Sequence, residues 1–381
     1  MPEPAAASRC VTAPPAVPAA PAAEPRPSRR AAAAAVAALS GALLGLELAW
    51  TRIFSAELFH SFAFLVLSLA ILGLGLGALA LRLLPRLDHA RTPAVALALA
   101  GALALAGPPL VLRLGLDPSR LPTATDMPLR FALAVALLGA PFLLGGIALA
   151  LFFRRAPGDL PRLYLADLAG AAAGAVAVLA AMTFVSTPAA TVLCAVPLFA
   201  AAALLGRGEG RLVALAGALG AVALVGFAPE LLRSGRPERA PVIYEHWDAM
   251  AKLKVYLYGP DHRGINIDEV ANTPVLGFDG NFADPALADA EWGVDAGWLV
   301  RRFGGRCRFL SLGAGGGGDV LQALVEGAAE VHAVEVNPHI NRMLRDGDPA
   351  GYLTTPRLPP AKDGAPAEVP AWRHPDGRPI T

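Results

Sequence analysis

Seven apolar runs dominate the chain from residue 31 to residue 229, near 31–50, 61–83, 93–112, 130–152, 164–184, 187–205 and 211–228. Each approaches the length of about 20 helical residues that crosses a hydrocarbon layer of about 30 Å. Backbone amides and carbonyls find no water in lipid, so runs of this kind must be helices. The composition agrees: 17% of residues are charged, against about 25% in a soluble domain, and the mean hydropathy is +0.50. The expectation is a multi-pass protein of the cell membrane, with the lipid bilayer as its first partner. A net charge of +1 and the lack of a basic stripe with interleaved aromatics argue against a nucleic-acid partner. Cys10, Cys194 and Cys307 are far apart, so neither a disulfide framework nor a cysteine metal site is suggested.

Residues 1–30 are rich in Ala and Pro and read as a disordered tail with a basic flank. Residues 31–229 form the transmembrane part. Within it, Gly41/Gly45, Gly73/Gly77 and Gly170/Gly174 keep the spacing that lets membrane helices approach closely. The "GLGLG" at 73–77 lies inside a span with no acid-ended strand after it, so it is not read as a phosphate loop. Glu47, Arg52 and Asp167 are the charges that demand an explanation. They either snorkel to an interface or line a polar site for an amine, and an Arg52–Asp167 contact is one way to pair two of them.

Orientation is contested within the sequence. The face carrying Arg29, Arg86, Arg154 and Arg207 holds more arginines than the face carrying Arg52, Arg120 and Arg233. That bias places the soluble C-terminal part outside the cell. Use of a cytosolic nucleotide demands the reverse, and the cofactor argument is given more weight: the soluble part is expected in the cytoplasm.

Beyond residue 240 the pattern changes. "AKLKVYLYG" (251–259), "GINID" (264–268) and "TPVLGFDG" (273–280) are short β-like runs, giving a small antiparallel region over 240–282. His246, Trp247 and Asp248 stand before the first of these runs, in what reads as a linker packing on the domain, and Tyr244, Tyr256 and Tyr258 read as structural. "DAGWLVRRFG" (295–304) reads as a helix ended by Gly304.

The segment most specific for chemistry is "FLSLGAGGGGDVLQALVEGAAEVHAVEVNP", from Phe309 to Pro338. It reads strand, glycine turn, helix, strand, acid. Gly313, Gly315 and Gly317 would let the backbone turn tightly and approach a nucleotide. Glu335, 18 residues after Gly317, would stand at the tip of the second strand and accept hydrogen bonds from ribose hydroxyls. No Lys-Ser/Thr follows the glycines, so a P-loop is excluded. Gly313, Gly315 and Gly318 also satisfy a dinucleotide frame, so spacing alone leaves NAD open. Asp319 is expected to cap the following helix.

These residues resemble the S-adenosylmethionine-type loop of the spermidine/spermine synthase-like family, in particular its multi-pass membrane branch. "LLGLELAWTRIFS" (43–55), "FAFLVLSLAILGLGLGALAL" (62–81), "LYLADLAGAAAGA" (163–175) and "INIDEVANTPVLGFDG" (265–280) are similar to other stretches of that branch. The resemblance implies a partial α/β Rossmann-like domain of methyltransferase type over 295–350, after an α-helical bundle of about seven spans and the small β region. It implies aminopropyl transfer from decarboxylated S-adenosylmethionine to a small amine, with Gly313, Gly315 and Gly317 lining the nucleoside and Glu335 holding the ribose. No catalytic residue is assigned. The family's loop carries an Asp where this chain has Gly316, and a Pro-rich segment over 351–381 stands where further strands are expected. The chain therefore reads as a C-terminally incomplete relative. Two other readings stay open: a membrane methyltransferase using S-adenosylmethionine itself, and a transporter or scaffold with a vestigial nucleotide domain. Homo-oligomerisation is also left open.

Overall fold

The computed structural model describes residues 27–58, 60–259, 262–276, 297–305 and 307–346. The expected tail up to residue 26, the end of the β region after 276 and the Pro-rich segment 351–381 lie outside the described residues. Seven long apolar helices come first: α1 (Arg29–Glu57), α2 (Ser61–Leu83), α3 (Thr92–Arg113), α4 (Met127–Arg155), α5 (Leu160–Phe184), the broken pair α6 (Thr187–Leu193) and α7 (Ala195–Leu205), and α8 (Gly208–Leu224), extended by the short α9 (Ala228–Leu231). The first helix begins at Arg29, so the last residues assigned to the tail are helical. The break at Cys194 has a local cause. Pro197 has no N–H to give to the carbonyl of Leu193, four residues back, so the α-helical ladder is interrupted there. Large apolar side chains such as Phe64, Ile71, Val176, Phe184 and Leu219 are exposed around the bundle. Such a surface suits lipid and not water.

The glycine pairs lie at helix contacts. A Cβ on Gly170 would fall 2.2 Å from the Ala37 carbonyl oxygen, and one on Gly174 would fall 2.3 Å from that of Gly41. Here α1 and α5 touch backbone to backbone, an approach that only glycine permits. Gly73 and Gly77 press in the same way on Phe142 and Leu143 of α4. At the centre of the bundle Trp50 meets Phe142 edge to face, with ring centroids 5.8 Å apart.

The soluble region is a four-stranded antiparallel meander followed by a two-stranded parallel sheet. The meander runs β1 (Val242–Trp247), β2 (Lys252–Gly259), β3 (His262–Ile267) and β4 (Ala271–Leu276), in that spatial order. Strand β1 is a correction: His246 and Trp247 belong to a strand and Asp248 to the turn after it, not to a linker. The stretch "VIYEHW" hides this because neither of its alternating faces is wholly apolar. After α10 (Gly297–Arg302) come β5 (Arg308–Leu312), α11 (Gly318–Val325), β6 (Glu330–Val334) and α12 (Pro338–Asp346). Strands β5 and β6 pair in parallel, as a strand–helix–strand crossover requires. Ile340 and Met343 of α12 are buried with Leu253, Val255, Ile265 and Val275 of the meander, while β5, α11 and β6 bury a second core around Val300, Val320, Ala323, Leu324 and Val331.

The meander docks on the bundle through buried charge. Lys252, fully buried on β2, pairs with Glu57 at the end of α1 and with Glu269 at 2.7 Å. Lys254 pairs with Glu269 at 2.6 Å and with Glu238 at 2.7 Å. Asp268 accepts from the Lys252 amide at 2.8 Å and pairs with Arg52 of α1. Asp268 and Glu269 form the β3–β4 turn with φ of 56° and 58°, a left-handed backbone that costs non-glycine residues energy. The ion pairs of these two acids hold the turn in place.

Candidate nucleoside-binding site

The glycine crook is built between the end of β5 and the start of α11. Gly313, Gly315 and Gly317 have φ of 76°, 53° and 82°, whereas Gly316 and Gly318 do not enter the left-handed region. The alternation explains the GxGxG frame: the three framed positions are the ones where an L side chain would strain the backbone. Gly317 also caps α11. Asp319 does not. It lies one residue inside the helix, in the first turn, which corrects the expectation that its side chain caps.

Glu335 stands where the sequence places it, just past the tip of β6 and against the crook. Its Oε2 accepts from the Gly315 amide at 2.9 Å and its Oε1 from the Asn337 amide at 2.7 Å. Asn337 in turn caps α12, its Oδ1 accepting from the His339 amide at 2.9 Å. The carboxylate is thus fixed between the glycine turn and a helix start, half-buried, and each oxygen keeps capacity for a further donor.

The crook's amides are bonded within the protein. Gly313 and Ala314 donate to the Val334 carbonyl at 2.7 and 3.1 Å, and Gly317 donates to that of Ala314 at 2.8 Å. Gly315 donates to Glu335, and Gly316 donates to the Thr273 hydroxyl at 2.8 Å. Five consecutive donors are therefore engaged within the protein. A pyrophosphate is held by such amides at a glycine turn, and here Asp319 adds negative charge at the helix start. A nucleoside without phosphate needs only close backbone approach and a carboxylate for the ribose, both of which are present.

Thr273 and Pro274 of β4 are contributors that the sequence did not announce. They press on the crook from a strand some 40 residues earlier, by the numbering, and no local pattern signals the contact. The Asn337-Pro338 pair, a capping residue followed by proline, is a legible helix start. It could have been read as the clamp on Glu335.

The three charges noted in the bundle are not brought together. Arg52 turns to Asp268 of the meander and not to Asp167. Asp167 accepts from Ser40 across the α1–α5 contact. Glu47 stands half-buried on α1 and joins neither pair. A shared polar site for an amine is not formed by these residues. No protein-family model, curated protein or solved structure matches the chain.

Proposed function

We propose that the chain binds an adenosyl sulfonium compound at the glycine crook and is a membrane-anchored transferase of the polyamine aminopropyltransferase type. The observation that carries the reading is Glu335 bonded to the Gly315 amide, at the mouth of a crook whose own donors are already engaged. This arrangement favours a nucleoside over a dinucleotide. The choice of decarboxylated S-adenosylmethionine rests on the resemblance of Phe309–Pro338 and the flanking stretches to the spermidine synthase-like family. In such a transfer the amine nitrogen attacks the carbon next to the sulfonium. The carbon–sulfur bond breaks, its electron pair leaves a neutral thioether, and the attacking nitrogen gives up a proton. The soluble region would face the cytoplasm from the cell membrane, where the sulfonium compound is made.

One observation favours a second reading, methyl transfer from S-adenosylmethionine itself. A Cβ at Gly316 would lie 2.2 Å from the Pro274 carbonyl oxygen, so the acid that resembling synthases carry there cannot be accommodated in this fold. Calorimetry on the purified protein separates the readings. Tighter binding of the decarboxylated compound supports aminopropyl transfer, and tighter binding of the carboxylated one supports methyl transfer. Glu335→Gln should weaken either by about tenfold or more, since a hydrogen bond to a charged acceptor contributes about 1.5–3 kcal/mol. Wild-type protein that binds neither compound nor the thioether product defeats the proposal.

A further inference from the structure

His246, Asp248 and His339 are far apart in sequence and meet in space where β1, its turn and the start of α12 converge. Each offers one ligand atom, and these atoms lie within 4.8 Å of one another. The two imidazole rings face each other with centroids 3.5 Å apart. His246 Nε2 is buried and makes no hydrogen bond. Asp248 is divided in its duties. Its Oδ1 accepts from the Met250 and Ala251 amides, both at 2.7 Å, which fixes the turn. Its Oδ2 faces His246 Nε2 at 3.9 Å. That gap is too long for a hydrogen bond. It suits two donors that share one ion, since ligands about 2.0–2.2 Å from a common zinc lie about 3–4 Å from each other.

We propose that His246, Asp248 and His339 bind a divalent transition-metal cation of the zinc class. Two imidazoles and one carboxylate are a donor set for such ions, and a water would complete a tetrahedral shell. The unfavourable neighbour is Arg342, whose guanidinium lies 2.9 and 3.1 Å from the His339 ring nitrogens. Its long exposed side chain can swing to solvent when an ion enters. The position gives the ion a task independent of the nucleoside reading. The Asp248 carbonyl accepts from the Thr187 hydroxyl at the start of α6, and His339 lies on the helix capped beside Glu335. The ion would clasp the bundle, the meander and α12 at one point.

The test uses full-length protein in detergent, purified without a histidine tag and stripped with chelator. Cobalt(II) is titrated while its visible absorption is followed, and zinc(II) is titrated by calorimetry. One equivalent should bind and raise the thermal midpoint. His339→Ala should weaken binding at least tenfold while circular dichroism shows an unchanged fold. His339→Asn is the second variant, should alanine disturb α12. X-ray absorption on the cobalt-loaded wild type should count two imidazole ligands, and this readout needs no variant. Wild type that takes up no cation, a cation with no imidazole ligand, or unchanged affinity in folded His339 variants each overturns the proposal.

Discussion

At the residue scale the crook grades its own glycines. Gly316 is forbidden a side chain by space, since its Cβ would strike the Pro274 carbonyl, a backbone atom that cannot rotate away. Gly313 meets nothing within 4 Å but has a φ of 76°, so an alanine there is strained by about 1–2 kcal/mol. Gly318 has neither restriction and opens α11. The expected order of damage from alanine is therefore Gly316, then Gly313, then Gly318. Gly316→Ala should cost at least about 1–3 kcal/mol, as overpacking against backbone does. Gly318→Ala should be neutral or stabilise by up to about 1 kcal/mol. Thermal unfolding of the three variants, with nucleoside affinity beside it, checks the order. Equal tolerance at Gly316 and Gly318 would show that the crook does not lie against β4.

At the element scale, strand β2 and the β3–β4 turn hold the meander to the bundle through charge. Lys252 and Glu57 are both buried, so removing one leaves the other uncompensated, a loss of about 3–5 kcal/mol. Lys252→Met should therefore destabilise strongly, and adding Glu57→Leu should restore much of the loss. Denaturant unfolding in detergent reads both. The same cluster sets an acid limit. Burial is the largest single influence on Glu269 and opposes its ionisation, but Lys252 and Lys254 together outweigh it and hold its carboxyl below the ordinary value of 4.5. Glu238 is likewise held below 4.5, burial being outweighed by Lys254 and by the Tyr256 hydroxyl. A depressed carboxyl contributes stability above its unfolded value and loses it as pH falls further. The docked meander should thus be stable at neutral pH and weaken below about pH 4.5. Glu269→Gln should blunt that acid response, at the cost of lower stability at pH 7.

At the scale of the whole molecule, an odd number of spans puts Arg29 and the soluble sheets on opposite faces of the bilayer. Arginine counts are a weak guide to which face is which, because several of these arginines are neutralised locally. Asp88 takes Arg155 at 2.7 Å, and Asp159 takes Arg29 at 3.1 Å. If the soluble region is cytoplasmic, Arg302→Cys in a cysteine-free background should resist a membrane-impermeant maleimide in intact cells and react in inverted vesicles. Glu209→Cys, in the first turn of α8, should do the opposite. The reverse pattern would place the nucleoside site outside the cell and remove its source of ligand.

The run of apolar segments was enough to require seven helices, because lipid leaves a backbone no other way to satisfy its amides. The strand–turn–helix–strand order and the position of Glu335 were legible for a similar reason: both are local patterns, in which left-handed glycines and a strand-tip acid stand at short spacing. Contacts between distant segments were not legible. The pressing of Thr273 and Pro274 on the crook, the passage of Arg52 to Asp268, the burial of Lys252 against Glu57 and the meeting of His246 with His339 all join residues whose separation carries no periodic signal. Such contacts are chosen by how helices and sheets pack, and packing is set by the shape and charge of whole surfaces at once.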